Sequence, residues 1–224
     1  MSKPIRQCIK SWDTHLEGWQ RILWNEENSP LDHPFVKNAQ EDQNYAFMSD
    51  YTRLWALYRH GGVYLDTDML VLKHMDDLTE NGFFIGKQDD GLVNGSIIGS
   101  PPGHPFLKLC LEEYDQLGFD HLERSNMAIP LVLSRALLKY NGPQIRIFEK
   151  EYFYPYPFSA RTAGDMNYWK FITDKSYTVH LWDASWIPDF NRVMGNVSPN
   201  KSGYLKKIVQ DRFIKIINSI SGNQ

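Results

Sequence analysis

The chain has little cysteine, no long apolar run and no basic surplus. Cys8 and Cys110 are the two cysteines in 224 residues, too few and too far apart for a secreted disulfide framework, and neither stands at a metal-ligand spacing. Both read as reduced, buried thiols. The sequence has no apolar stretch of about 18 residues and its opening lacks a signal-peptide core, so a cytoplasmic location is expected. A net charge of -3 and a pI near 6.2 argue against nucleic-acid binding, which favours clustered lysine and arginine. Repeats and low-complexity tracts are also missing. What is present, 42% hydrophobic and 14% aromatic residues, suffices for one substantial core, so a single domain over residues 1–224 is expected.

The richest stretch runs from Ser49 to Met69, SDYTRLWALYRHGGVYLDTDM. Tyr45, Met48, Tyr51, Trp55 and Tyr58 recur at three- and four-residue intervals, which predicts a helix. Gly61 suits the left-handed position past its end, and Gly62 frees entry to a short apolar strand. Asp66-Thr67-Asp68 follows. With 17 aspartates in the chain, chance alone supplies roughly one Asp-x-Asp, so context carries the weight. A strand continuing through this triplet puts Asp66 and Asp68 on one face, where both carboxylates reach one divalent cation. A solvated turn is the bland alternative. Asp50 and Arg53, three apart on the helix, read either as a surface ion pair or as a pair aimed into a cleft, Asp50 toward sugar hydroxyls and Arg53 toward an anionic or hydroxyl-rich ligand.

Elsewhere, Ser2 and Pro4 predict the cap and first turn of a helix with Ile5, Cys8, Ile9 and Trp12 inward. Trp19–Trp24 reads as a strand, Pro34 opens a short helix, and Phe83–Gly86 and Leu92–Ile98 read as strands. Pro105 to Leu117 and Pro130 to Tyr140 read as helices. The aromatic run Tyr152–Phe158 reads as a packed edge in preference to a stacking wall for an acceptor sugar. Residues 203–220 form an amphipathic pattern, Leu205, Ile208, Val209, Phe213, Ile216, Ile217 and Ile220 on one stripe with Lys206, Lys207, Arg212 and Lys215 mostly off it. That suits either peripheral contact with an anionic inner-membrane face or docking on the domain itself.

The runs YAFMSDYTRLWALYRHGGVYLDTD, FFIGKQDDGLVNGSIIGSPPGHPF and YTVHLWDASW resemble the DXD-containing sugar transferases of glycosyltransferase family 32, which includes fungal Golgi mannosyltransferases and bacterial capsular polysaccharide transferases. The resemblance spans about residues 5 to 190. It implies an α/β, GT-A-like nucleotide-diphospho-sugar transferase fold, a mixed sheet flanked by helices. It also implies a hexosyltransferase that needs Mn²⁺ or Mg²⁺, favours a UDP-sugar donor and transfers with retention to a surface-polysaccharide or lipid-linked glycan acceptor. Position by position, Asp50 and Arg53 match the pair turned toward the donor sugar. Asp66 and Asp68 match the metal pair, with Asp68 the direct ligand and Asp66 reaching the ribose and a metal-bound water. Asn94 matches a polar residue beside the sugar, and Ser185 and Trp186 match a loop over the diphosphate. His180 is a further candidate ligand or phosphate contact; the competing reading is a hydrogen-bonded core histidine among Tyr177, Val179 and Leu181.

Relatives in that family usually begin with an additional apolar strand, whereas this chain opens MSKPIRQCIKSW, already within the helix that follows it. A misplaced start, a truncated remnant or a replacement by another segment would each give that opening. Two other functions stay open on sequence grounds, a non-catalytic sugar-nucleotide-binding remnant and a metal-dependent phosphohydrolase.

Overall fold

The computed structural model describes residues 2–80, 82–88, 92–120 and 124–183. Ser2 accepts a hydrogen bond from Ile5 N and caps helix α1, Lys3–His15, which buries Cys8 and Trp12. Helices α2 (Pro34–Glu41) and α3 (Tyr45–His60) follow, then strands β1 (Gly62–Leu65) and β2 (Met69–Val71) and the single turn α4 (Asp76–Thr79). Strands β3 (Phe84–Lys87) and β4 (Val93–Ser100) precede helices α5 (Pro105–Leu117), α6 (Arg124–Met127) and α7 (Ile129–Lys139). Strand β5 (Arg146–Phe148), short helices α8 (Lys150–Phe153) and α9 (Phe158–Thr162), and strand β6 (Thr178–His180) complete the described order.

The strands form a four-stranded sheet in the order β1-β4-β3-β5 and a separate pair, β2-β6. Only β3 and β5 run parallel, so the sheet is mixed as expected. Its central strand β4 is buried along its whole length, the pattern of a strand covered on both faces. On one face lie Leu54, Leu57, Phe106, Leu107, Val132 and Leu133 from α3, α5 and α7. On the other, Trp12 of α1 meets Met69, Val71, Phe84, Ile97 and Phe153. Helices thus flank the sheet. No helix among the described residues is long and apolar enough to cross a membrane.

Gly61 ends α3 at φ +67°. A side chain there would be strained, and its Cβ would stand 2.7 Å from Pro102 Cδ. Glycine therefore lets the chain reverse tightly from α3 into β1.

Trp19–Trp24 departs from expectation: the segment is irregular and forms no strand. Its tryptophans are anchored singly, Trp19 Nε1 donating to Asp76 Oδ1 at 2.8 Å and Trp24 set edge-on to Trp55, while Ile22 and Leu23 stand exposed. The aromatic run after Tyr152 is a packed edge, with Phe153, Tyr154 and Tyr156 almost fully buried. Residues 203–220, and with them the amphipathic pattern, lie outside the described residues.

Candidate active site

The two aspartates lie where the sheets meet. Leu65 pairs with Ile97 at the end of β1, and Asp66 N still donates to Ser96 O at 2.9 Å. The chain then turns, Met69 N donating to Asp66 O at 3.0 Å, and enters β2. The triplet is therefore a tight turn and not a strand continuation, because Met69 must leave the first sheet to pair with His180 in the second. The turn still directs both carboxylates to one place. Asp66, Asp68 and His180 each offer a ligand atom, all within 4.8 Å of one another.

His180 arrives by strand pairing. Its partner across the β2–β6 ladder is Met69, and Leu181 N donates to Asp68 O at 3.0 Å. His180 Nε2 stands 3.2 Å from Asp68 Oδ2, which also accepts from Asp183 N at 2.9 Å. Burial by itself would push the Asp68 carboxyl up, but the charge and hydrogen bond of His180 and the Asp183 amide hold it down at about 2. The Trp182 ring covers the imidazole at a centroid distance of 3.9 Å, and His180 Nδ1 is buried and meets no hydrogen-bonding group among the described residues. A buried imidazole and two carboxylates form a donor set of nitrogen and oxygen that could hold a divalent cation.

Asp66 is held from beneath. Tyr64 donates its hydroxyl to Asp66 Oδ1 at 2.7 Å, and Arg53 Nη1 lies 3.2 Å from both carboxylate oxygens. Arg53 is buried, donates to Gly95 O at 2.9 Å, Ser49 Oγ at 3.2 Å and Ser49 O at 3.3 Å, and forms an ion pair with Asp50 Oδ1 at 3.0 Å. Burial works against its charge, yet Asp66, Tyr64 and Asp50 outweigh that and hold the proton more firmly.

Asp50 faces inward too. Its Oδ2 accepts from Ile129 N at 3.3 Å, so it caps the first turn of α7 from a neighbouring helix, where Ala128 has no side chain able to do so. Burial pushes the Asp50 carboxyl up to about 6 against the pull of Arg53. Asn94 is buried in β4, donating to Gln88 Oε1 at 2.6 Å and accepting from Ser96 N at 2.8 Å. Ser185 and Trp186 lie outside the described residues.

The structure thus sets Asp68 and His180, paired with each other, within 4.8 Å of Asp66, and Asp66 in turn joins Asp50 and Arg53 in one polar network. Tyr64 and Ser49 belong to it as well and went unread in the sequence. The signal for Tyr64 was its placement two residues before Asp66, on the same face of β1. Such a cluster, at the turn joining two sheets of an α/β chain, is a candidate cation site beside a buried guanidinium.

Residues 2–84 match the family described as the glycosyltransferase sugar-binding region containing a DXD motif. A lactosylceramide 4-alpha-galactosyltransferase of Mus musculus is 27% identical over 173 residues, covering 66% of this chain and 44% of that protein. An inositol phosphoceramide mannosyltransferase of Schizosaccharomyces pombe is 24% identical over 121 residues, covering 52% of this chain and 33% of that protein. Among solved structures, the PaToxG glycosyltransferase superposes with a TM-score of 0.46 at 16% identity, over 62% of this chain and 64% of that one. The chain therefore spans less than half the length of these curated relatives. The family match and the named relatives support a DXD-containing glycosyltransferase family for this chain.

Proposed function

We propose that this chain forms the donor site of a metal-dependent, retaining hexosyltransferase of GT-A-like architecture that uses a nucleotide-diphospho-sugar, UDP-linked by preference. The observation that carries this reading is the convergence of Asp66, Asp68 and His180 within 4.8 Å inside or beside a segment matched to DXD glycosyltransferases. The acceptor is a glycan, and a lipid-linked one is favoured because two relatives are named for ceramide-based acceptors. A phosphohydrolase and a non-catalytic remnant have no comparable support.

In this reading Asp68 and His180 hold the cation directly and Asp66 lies beside it. A bound divalent ion supplies neutralisation of the charge that develops on the departing nucleoside diphosphate. The chain's own residues do the rest. Asp50 and Asn94 are assigned to the donor sugar, and Ser185 and Trp186 to the diphosphate. The walls built by Trp182 and Tyr154 exclude water from the imidazole, which strengthens every charge interaction in the site.

A thermal-shift titration of the full chain with UDP- and GDP-sugars, with and without Mn²⁺, tests the reading. A competent donor site gains stability only when nucleotide and metal are present together, about 2.7 kcal/mol at a hundredfold excess over Kd. Equal shifts with and without metal, or none, refute it.

A further inference from the structure

Helix α1 buries Cys8 and Trp12, and helical spacing turns Lys3, Arg6, Gln7 and Lys10 to the other side, where all four are exposed. Its first turn contains no acidic residue. Lys3 therefore stands at the positive end of the helix dipole, a placement that works against helix stability and adds to the local positive field. Gln7 Nε2 donates to the Tyr168 hydroxyl at 2.9 Å, which joins this basic face to the 3₁₀ turn Tyr168–Phe171. That turn presents Trp169, 58% exposed, and Met166 just ahead of it is 60% exposed. Trp169 is the one exposed tryptophan among the described residues. Deepening the lipid-linked acceptor reading, on which its purpose rests, we infer that α1 and the turn carrying Met166 and Trp169 form a peripheral contact with an anionic lipid surface.

Charge complementarity selects the partner's sign. The whole chain carries a net charge of -3, so a face with Lys3, Arg6 and Lys10 is a local reversal. The nearby carboxylates are already engaged, Asp13 with Arg21 and Asp165 with Lys170. Trp169 and Met166 select the partner's kind. An acidic protein or a nucleic acid would satisfy the lysines and leave these two apolar side chains unexplained. The boundary between headgroups and acyl chains takes both, an amphipathic ring at headgroup depth and cations beside the phosphates. The same face is tied to the cation cluster. Trp12 Nε1 donates to Met69 O at 2.7 Å and Ser11 Oγ accepts from Val71 N at 2.9 Å, so α1 is hydrogen-bonded to β2, the strand that follows Asp68 and pairs with β6. A chain lying on lipid by this face thus holds Asp66, Asp68 and His180 at one fixed orientation to the surface in which a lipid-linked acceptor would be embedded.

The test is flotation of the full chain with vesicles of equal parts phosphatidylglycerol and phosphatidylcholine, and with vesicles of phosphatidylcholine alone. The wild-type chain should float with the anionic vesicles and stay behind with the neutral ones. Its binding should weaken as salt rises to about 1 M, where charges are screened within about 3 Å. Each basic residue near an anionic surface is worth about fivefold in partitioning, so Lys3→Glu combined with Lys10→Glu should bind at least about 25-fold more weakly. Both positions are exposed, and glutamate in the first turn suits the helix dipole, so Tm should not fall and a loss of binding is separated from a loss of fold. Brominated acyl chains should quench the wild-type tryptophan fluorescence, and that quenching should drop in Trp169→Phe while the vesicles still bind it. Equal binding to both vesicle types, or quenching undiminished in Trp169→Phe, overturns the inference. Unchanged binding by the double lysine variant overturns it as well and transfers the contact to residues 203–220. A wild-type chain that binds neither vesicle also overturns it but leaves the donor-site reading standing, because the titration with nucleotide and Mn²⁺ needs no lipid.

Discussion

Replacing Asp68 by asparagine separates the aspartate's charge from its shape. Asparagine keeps the oxygen that accepts from Asp183 N and loses the attraction to His180, whose Nε2 is 3.2 Å away. The fall of this carboxyl from an ordinary value of 3.8 to about 2 corresponds to roughly 2 kcal/mol of folded-state stabilisation, of which asparagine keeps the share supplied by the Asp183 amide. The folded chain therefore holds fewer protons than the unfolded chain between about pH 4 and pH 2. The contribution is complete above that window, falls to about half by pH 3 and is gone below about pH 2. In metal-free protein with EDTA, urea unfolding at pH 5 should show Asp68→Asn less stable by about 1–2 kcal/mol, or about 2–8 °C in Tm for a chain of this size. The gap should narrow to about half that at pH 3. A gap of the same size at pH 5 and pH 3, or none at pH 5, would refute the assignment of that stabilisation to the Asp68–His180 pair.

Three further outcomes are expected. Burial, reinforced by Asp68 and Asp183, pushes the Cys8 thiol up to about 12, and burial raises Cys110 as well, so both should react with Ellman's reagent only at the rate of global unfolding; stoichiometric labelling of the native chain would contradict this. A Cβ at Gly99 would stand 1.9 Å from Phe84 Cε1 across the β3–β4 pair, so Gly99→Ala should cost about 1–3 kcal/mol by denaturant titration. Tyr154 donates to Asn94 O and accepts from Ile97 N, each at 3.1 Å and buried, so Tyr154→Phe should lose about 1–3 kcal/mol in the same assay.

Local signals in the sequence carried local structure well. The Ser2 cap, the prolines at the starts of α1, α2 and α5, and the glycine after α3 each act within one turn of where they stand. They were legible because capping depends on neighbours a few residues away. Trp19–Trp24 misled because its bulk and apolarity mimic a strand, whereas its partners, Asp76 and Trp55, are distant in sequence and hold the tryptophans one at a time. The turn at Asp66 was hidden for a related reason. Nothing in Leu65-Asp66-Thr67-Asp68-Met69 announces that β1 and β2 belong to different sheets. The internal pairing of Arg53 was also out of reach, since helical spacing says which face a side chain leaves from and not how many acceptors wait there. The candidate ligand His180 came with the resemblance carried by YTVHLWDASW, since its apolar neighbours alone read as core, and only the β2–β6 ladder shows how it meets Asp68.

That ladder dictates when in the protein's life the site can exist. Asp183 and Asp68 touch across 115 positions of chain, and the histidine strand is the last described element of the fold. During synthesis both aspartates leave the ribosome well before His180, and they meet its imidazole only when β6 docks on β2. A proteolytic nick anywhere between β2 and β6 would therefore leave the two halves of this cluster on separate fragments.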